Sequence, residues 1–211
     1  MALQQCKLIV YLLKVSYNRT DRPVLISCLM KVKNDSNVRF MRGVDNMDHL
    51  IRRVQQGDEI SLAYIQTESW KAAFQDILST EILQKTTEIN RAIQMYKRLL
   101  DERIGNGYIL EADGKPHCIA WWDKARDNDM PDYAELICIH SLQDNWRKGY
   151  GTKMMDKVLN DIKNGGYDKV MLWVFADNDR ARKFYESCGF ATYGKVRSCF
   201  ETQEICYEKK L

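Results

Sequence analysis

The 211-residue sequence lacks several features that would assign it to a broad class of protein. It has no apolar run near the roughly 20 residues that a membrane-spanning helix needs, so we expect no membrane partner. Its seven cysteines include no Cys-x-x-Cys pair, which disfavours a bound metal or a disulfide framework and favours reduced core cysteines in a cytoplasmic protein. Repeats and low-complexity tracts are also missing. The whole sequence is 45% hydrophobic and long enough for one globular domain with a substantial core.

Charge is distributed unevenly along the chain. Residues 1–46 contain eight Lys or Arg, three Asp and no Glu, a balance of +5, whereas residues 47–211 carry −2 of the net charge of +3. A nucleic-acid-binding domain is expected to present a basic patch, so we expect no nucleic-acid partner. The same imbalance separates an N-terminal extension, residues 1–46, from a domain over residues 47–211.

Three interpretations of the extension stay open: an added strand, an amphipathic docking element, or upstream sequence included by a wrong start codon. Its apolar segment, residues 8–13, is too short to span a membrane and no signal-peptide cleavage site follows it. Arg42 and Gly43 can be encoded as AGG GGN, a ribosome-binding sequence just upstream of the codon of Met47. We therefore expect translation to start at Met47 or residues 1–46 to be dispensable, which mass spectrometry of the native protein and melting of a chain starting at Met47 would test.

The stretch between Ala134 and Phe190 predicts a strand, a glycine turn, a helix, a second strand and a second helix. Apolar residues at helical spacing indicate a helix over residues 152–164, with Gly149 and Gly151 at its N-terminus. Backbone N–H groups there lack intrahelical partners and the helix dipole is positive, so main chain alone can bind a pyrophosphate. A dinucleotide fingerprint fails because Met154 stands where a third glycine is needed, and the ending of a Walker loop is absent.

The second half of this stretch completes the pattern. Residues 169–175 are a nearly continuous apolar run, typical of a strand covered on both faces. Asp177 or Asn178 can cap the helix that follows, and Gly189 suits the position after its end, where positive φ is common.

Eight residues carry the combined pattern: Gly149, Gly151, Asn178, Ala181, Phe184, Tyr185, Gly189 and Phe190. Together they resemble motifs A and B of the Gcn5-related N-acetyltransferases, and the resemblance covers residues 47–211. It implies an α/β (α+β) fold with a mixed, mostly antiparallel central sheet of about six or seven strands and about four flanking helices. It also implies acetyl-CoA as the cofactor and direct acetyl transfer without a covalent enzyme intermediate. One departure is Trp146, which stands where the family usually has Arg or Gln.

The remaining elements follow the order that the resemblance implies. They are an opening strand over residues 50–54, helices over 59–74 and near 81–100, a hairpin of strands at 108–110 and 118–122, and a closing hairpin of residues 191–197 and 204–209.

The resemblance implies a cofactor site made from the glycine turn and its neighbours. The expected residues are Ser141, Leu142, Arg147, Lys148, Gly149, Tyr150, Gly151, Thr152, Asn178 and Arg182. Backbone groups of Ser141 and Leu142 would pair with the pantetheine arm as an added strand does. The ordinary alternatives are helix capping for Asn178 and solvated loop charges for Arg147 and Lys148.

Two side chains are expected to move protons. An amine with a pKa of about 10.4 must lose a proton before it attacks, and the leaving thiolate must gain one. Glu135 is the expected base because the resemblance places a glutamate at this spacing before Gly149; the alternative is a strand-entry glutamate paired with a surface cation. His140 is the second candidate, on the opposite face unless a bulge intervenes. Tyr185 is the expected acid, since the resemblance places its hydroxyl near the cofactor sulfur.

The acceptor is the least constrained part of the prediction. Trp70 and Trp122 are the expected substrate-binding residues, as aromatic walls for a cation. The predicted function is an acetyl-CoA-dependent N-acetyltransferase whose acceptor is a small-molecule or peptide amine, including a protein N-terminus or lysine, and a homodimer is left open. The alternative is a non-catalytic acyl-CoA-binding regulatory module, and the presence of both Glu135 and Tyr185 favours the enzyme.

Overall fold

An open seven-stranded sheet organises the computed structural model, which describes residues 49–211. The elements are β1 (His49–Arg53), α1 (Glu59–Phe74), α2 (Thr80–Thr86), α3 (Ile89–Asp101), β2 (Asn106–Ala112), β3 (Lys115–Lys124), β4 (Ala134–Ser141), α4 (Tyr150–Asn164), β5 (Lys169–Phe175), α5 (Asp179–Ser187), β6 (Ala191–Cys199) and β7 (Thr202–Lys210). The extension at residues 1–46 and the expected start at Met47 lie outside the described residues, and the domain boundary stays a prediction.

The strands lie in the order β1-β2-β3-β4-β5-β7-β6. Every neighbouring pair is antiparallel except β4 and β5, which are parallel. The predicted fold, a mixed and mostly antiparallel sheet flanked by helices, is therefore confirmed. Among the described residues there are five α-helices, one more than the expected four, because the single helix predicted near residues 81–100 is two.

That break occurs at Thr87 and Glu88. The Thr87 hydroxyl donates to the Leu83 carbonyl at 2.7 Å, which closes the end of α2. Glu88 then adopts extended backbone, and its carboxylate accepts hydrogen bonds from the backbone N–H groups of Asn90 and Arg91, both at 2.9 Å. A side chain that satisfies the first free amides of a helix starts a new one. The apolar periodicity of the sequence runs across this point and does not reveal the cap.

Helices cover both faces of the sheet. On one face α4 contributes Met154, Met155, Val158 and Ile162, all fully buried, to a core shared with α5. On the other face α1 and α3 pack against β2 and β3. Within residues 49–211 no helix has both the length and the apolar character needed to cross a membrane. The described cysteines are free thiols.

The sheet is split between β4 and β5. Those two strands pair only at Ala134 with Val170 and at Glu135 with Met171. Beyond these pairs β5 continues alongside β7 to Phe175, whereas β4 continues alongside β3 to Ser141. The separation leaves a cleft that is lined by residues of α1 on one side of the sheet and of α4 and α5 on the other.

A bulge in β4 changes which side chains face this cleft. Trp121 lies opposite Cys138 and Trp122 opposite Leu136, so Ile137 is an extra residue in the strand. An extra residue reverses the alternation of side chains that follow it. Glu135 and His140 consequently lie on the same face, the one covered by α1. The bulge that the sequence analysis required for His140 to share a face with Glu135 is therefore present.

Candidate functional site

The cleft between β4 and β5 has a volume of about 980 Å³, at the upper end of the roughly 300–1,000 Å³ typical of ligand sites. Its two ends lie on opposite faces of the sheet. The loop end, on the α4 and α5 side, is formed by Trp146, Arg147, Gly149, Tyr150, Gly151, Thr152, Asn178 and Arg180. The sheet end, on the α1 side, is formed by Trp70, Phe74, Arg126, Glu135, His140, Trp173, Phe175, Arg197 and Glu204.

The loop end is a turn that feeds directly into α4. Arg147 and Gly149 both have positive φ, at 63° and 83°, and Gly149 occupies the cap position of the helix. A Cβ at Gly149 would meet nothing within 4 Å, so the backbone conformation rather than space favours glycine there. The first turn of α4 contains no acidic residue. Its leading amides and the positive end of its dipole therefore form a cradle suited to an anion such as a phosphate.

Trp146, the departure from the family pattern, holds this turn in place. Its indole Nε1 donates to the Ser141 carbonyl at 2.9 Å, and the guanidinium carbon of Arg180 lies 3.2 Å from the centroid of its ring. Arg180 is thus fixed beside the cradle by a cation–π contact. The sequence did not single out Arg180, because the contact joins two segments more than thirty residues apart and only the basic residue itself is visible in the sequence.

His117 of β3 fixes the same turn from behind. It is 1% exposed, with Nδ1 3.1 Å from the Asn145 side-chain nitrogen and Nε2 3.0 Å from the Ser141 hydroxyl. Since Asn145 donates to Nδ1, the ring proton resides on Nε2 and is donated to Ser141. Burial lowers the pKa of His117, which agrees with a neutral ring. The turn between β4 and α4 is therefore held by side chains on both sides.

Four of the expected cofactor-binding residues face the cleft less directly than the sequence suggested. Asn178 lines the cleft, but its side chain also caps α5 by accepting from the Ala181 N–H at 3.1 Å. Arg182 turns away and donates to the Ala176 carbonyl at 3.0 Å and to Tyr207 at 3.2 Å. Lys148 and Leu142 do not line the cleft; Lys148 donates to Asn145 instead.

Tyr185 lies on the cleft wall where the loop end meets the split in the sheet. Its side chain is 8% exposed and packs against the rings of Phe184 and Phe190, with centroids at 5.6 and 5.9 Å. Burial raises the pKa of its hydroxyl far above the usual value of 10.0. The group therefore keeps its proton at physiological pH and can act only as a donor or as a neutral acceptor.

Glu135 lies at the sheet end in an ion pair. It is 3% exposed, and Arg126 donates to its Oε2 from Nε at 2.8 Å and from the backbone at 3.2 Å, and to its Oε1 from Nη2. This is the paired glutamate that the sequence left as the alternative, although Arg126 lies on the cleft wall itself. Oε2 already accepts two hydrogen bonds and Oε1 only one, so Oε1 can still accept one hydrogen bond from a ligand.

His140 is the less constrained of the two candidate bases. It lines the cleft with its ring centroid 6.4 Å from that of Trp70, and it forms no side-chain hydrogen bond with the described residues. Burial lowers its pKa from 6.5 to about 4. The ring is therefore neutral at physiological pH, and a nitrogen lone pair is available to a ligand.

The two expected substrate-binding tryptophans lie in different places. Trp70 forms part of the sheet end, packed edge-on against Phe74 at 4.9 Å. Its indole N–H is buried and has no hydrogen-bond partner among the described residues. Trp122 lies in the core instead, where its Nε1 donates to Tyr108 at 3.4 Å, and it does not line the cleft. Strand alternation puts Trp122 and its neighbour Trp121 on opposite faces of the sheet but does not indicate which face meets the cleft.

Arg197 and Glu204, which no sequence motif indicated, close the sheet end. The Arg197 Nε donates to the Glu204 Oε2 at 2.6 Å, and its guanidinium carbon lies 4.1 Å from the centroid of the Trp173 ring. Trp173 in turn donates from Nε1 to Asp127 at 2.8 Å. Within residues 49–211 no group of three or more His, Cys, Asp or Glu side chains is arranged to hold a metal ion.

Comparison with known proteins agrees with this geometry. The acetyltransferase (GNAT) family matches residues 67–190. The mycothiol acetyltransferase of Corynebacterium aurimucosum is 36% identical over 70 residues, which are 33% of this chain and 23% of that protein. The chain therefore matches about a quarter of the length of that relative.

Solved structures share the whole described fold. PaiA N-acetyltransferase from Thermoplasma acidophilum, in complex with coenzyme A, has a TM-score of 0.65 at 20% identity over 78% of this chain and 100% of its own. The yncA protein from Salmonella typhimurium, with its cofactor acetyl-CoA, has a TM-score of 0.60 at 13% identity over 78% of this chain and 94% of its own.

The predicted family and its cofactor, acetyl-CoA, are confirmed by these matches. The family match covers more than half of the sequence and includes the glycine turn, Asn178 and Tyr185. The chain belongs to the acetyltransferase (GNAT) family.

Proposed function

We propose that this chain is an N-acetyltransferase that transfers the acetyl group of acetyl-CoA to a primary amine bound at the sheet end of the cleft. One observation carries the proposal: the split between β4 and β5 joins the anion cradle and the face of Glu135 and His140 in a single continuous cleft. A cofactor bound at one face of the sheet and an acceptor bound at the other would meet within it.

The loop end fits the cofactor. The leading amides of α4, with Arg147 and Arg180 beside them, would hold its phosphates. Beyond Glu135, β4 has no strand partner on its β5 side within the described chain, so its backbone is open to pair with the amide groups of the pantetheine arm. Acetyl-CoA, when bound, supplies the acetyl group as a thioester.

Tyr185 is the proposed acid. Replacing a thioester bond by an amide bond requires one proton to leave the amine and one to reach the sulfur. Tyr185 holds a proton at Oη that burial makes hard to lose to solvent, and it lies on the cleft wall between the two ends. Loss of that proton to a thiolate leaves a phenolate that solvent re-protonates after the product departs.

Glu135 and His140 are the proposed proton acceptors. His140 presents a neutral ring with no hydrogen-bond partner among the described residues, and Glu135 presents a carboxylate fixed by Arg126. His140 contacts the incoming amine directly in this proposal, and Glu135 stabilises the positive charge that the ring acquires. Exchange of either residue for Gln separates the roles, since loss of the base alters the pH profile of kcat and loss of the stabilising charge lowers kcat at every pH.

The test is release of free thiol from acetyl-CoA with a panel of primary amines. Tyr185→Phe keeps the packing of the ring and removes its proton, so kcat should fall about 10- to 1,000-fold with little change in cofactor affinity. Tyr193→Phe, an exposed tyrosine on β6, is the matched control and should have no effect. A protein that binds acetyl-CoA and turns over no amine would instead support the regulatory module.

A further inference from the structure

The sheet end contains a guanidinium whose binding capacity is only partly used. Arg197 has a side chain that is 18% exposed, and its Nε donates to Glu204. Its terminal nitrogens, Nη1 and Nη2, form no hydrogen bond with the described residues. The guanidinium carbon lies 4.1 Å from the centroid of the Trp173 ring and Arg197 lines the cleft, so the two terminal nitrogens form a planar fork of donors available there.

A second unsatisfied donor lies at the same end. The Trp70 indole N–H has no acceptor among the described residues, and the side chain is 6% exposed. The two donors are linked through Phe175: its ring packs against Phe74 beside Trp70, and its backbone lies in register with Glu204, which is itself in register with Arg197. Buried donors without acceptors are rare in native proteins, and the Trp70 N–H is one. Together with the partly exposed Arg197 fork on the same cleft wall, it indicates a ligand with oxygen acceptors.

The negative charges at this end, by contrast, are already compensated. Glu135 is paired with Arg126, and Glu204 with Arg197. A polyamine would need carboxylates without cationic partners, and this end of the cleft offers none among the described residues. The unused capacity is for an anion or an oxygen acceptor.

We propose that the acceptor is a primary amine that also carries a carboxylate, as an α-amino acid does, and that Arg197 binds this carboxylate through its terminal nitrogens. A planar fork matches the two oxygens of a carboxylate and binds both at once. The inference rests on the proposed function, because it assigns the acceptor of the same reaction. Aromatic side chains around the fork, Trp70, Phe74, Trp173 and Phe175, favour an apolar or aromatic side chain on the acceptor.

Matched pairs of acceptors test the proposal directly. Each pair consists of an amino acid and the amine that lacks its carboxylate: L-phenylalanine and phenethylamine, L-tryptophan and tryptamine, L-methionine and 3-(methylthio)propylamine. We expect kcat/KM to be about 100-fold or more higher for the amino acid of at least one pair, because a site built for a polar group rejects the analogue that lacks it. Equal or better use of the amines would overturn the proposal.

Arg197→Met separates carboxylate binding from catalysis. Methionine keeps an unbranched chain over Trp173 and removes the donors, so kcat/KM for amino acids should fall about 100-fold, and that for the plain amines less than about 3-fold. The double variant Arg197→Met and Glu204→Gln repeats the test without an unpaired carboxylate at position 204. Lys195→Met, another cation of β6, is the matched control. A loss of equal size for both members of a pair would show that Arg197 is only structural.

Calorimetry distinguishes this inference from the proposed function. L-phenylalanine, L-tryptophan and L-methionine are titrated into the coenzyme A complex of the wild type and of Arg197→Met. Binding that the variant loses supports the carboxylate site even if no amine is acetylated, in which case only the proposed function fails. Acetylation of plain amines without preference for amino acids leaves the proposed function standing and this inference wrong. The inference is refuted if no amino acid is bound and none is acetylated.

Discussion

The two ends of the cleft are built by different means. The loop end uses main-chain amides, a helix dipole and a turn, mostly within residues 141–152 and 178–185, with His117 of β3 holding the turn from behind. The sheet end uses side chains from α1, the loop before β4, and four strands, spread from Trp70 to Glu204. In the proposed function, cofactor binding therefore depends mainly on a local stretch of backbone, whereas acceptor binding depends on side chains from distant parts of the chain.

The largest expected effect is a loss of acetyl-CoA affinity caused by a change at the loop end alone. Gly151→Val places a branched side chain in the first turn of α4, beside the cradle, where its Cβ would lie 3.5 Å from the Phe184 ring. We expect calorimetry to show at least about a 1,000-fold loss of acetyl-CoA affinity, because a phosphate can no longer approach the amides. Asn160→Val, an exposed site on the same helix, should leave affinity unchanged. Retained affinity in Gly151→Val would mean that the phosphates bind elsewhere.

The second prediction concerns His140→Gln, which alters the sheet end alone and changes how the free energy of unfolding depends on pH. The pKa of His140 is about 4 in the folded chain and 6.5 in an unstructured peptide, so between these values the unfolded chain binds a proton that the folded chain does not. The stabilisation from the neutral ring is complete above pH 6.5 and is lost as pH falls toward 4. Compared with His140→Gln, the wild type should lose about 3 kcal/mol more in free energy of unfolding across this window.

Urea unfolding at pH 7, 5.5 and 4.5 measures the difference. At pH 7 the His140→Gln variant should bind acetyl-CoA as the wild type does, because the change at the sheet end leaves the loop end intact. The same pH slope in both proteins would show that the ring of His140 is hydrated and contributes nothing to stability.

The smallest expected effect concerns the cation that Trp146 supports. Arg180→Met should weaken acetyl-CoA binding about 10-fold at low salt and less at high salt, because the interaction with the phosphates is electrostatic. Trp146→Ala should lose at least as much, since it removes both the stacking surface and the hydrogen bond to Ser141. Lys163→Met, a cation at the far end of α4, is the control. An unchanged affinity in both variants would leave phosphate binding to the backbone alone.

The sequence was informative where function depends on local spacing. Local rules identified Gly149 as a helix cap, Asn178 as a capping amide and Tyr185 as part of a helical face, and the family resemblance singled them out as site residues. All three line the cleft. The site roles of these residues stay predictions until the variants above are measured. Apolar periodicity identified most helices and strands, because it needs no reference to their partners, and the sheet that joins them came from the family resemblance.

The sequence was uninformative where function depends on distant partners. The extra residue at Ile137 leaves no trace in the apolar pattern, yet it decides which face His140 occupies. Arg180 and Arg182 lie two positions apart on α5 and therefore point to different sides, and only the stack on Trp146 shows that Arg180 faces the cleft. Arg197 belongs to a strand with no motif of its own.

The split between β4 and β5 also has a consequence for the lifetime of the protein in a cell. The sheet is joined by only two residue pairs at this position, and a cofactor bound in the split would bridge the rest and couple the folded state by mass action to the supply of acetyl-CoA. At a cofactor concentration one hundred times Kd, binding adds about 2.7 kcal/mol to the free energy of unfolding. Against a total of roughly 5–15 kcal/mol for a typical domain, that share makes resistance to proteolysis rise and fall with the metabolic state of the cell.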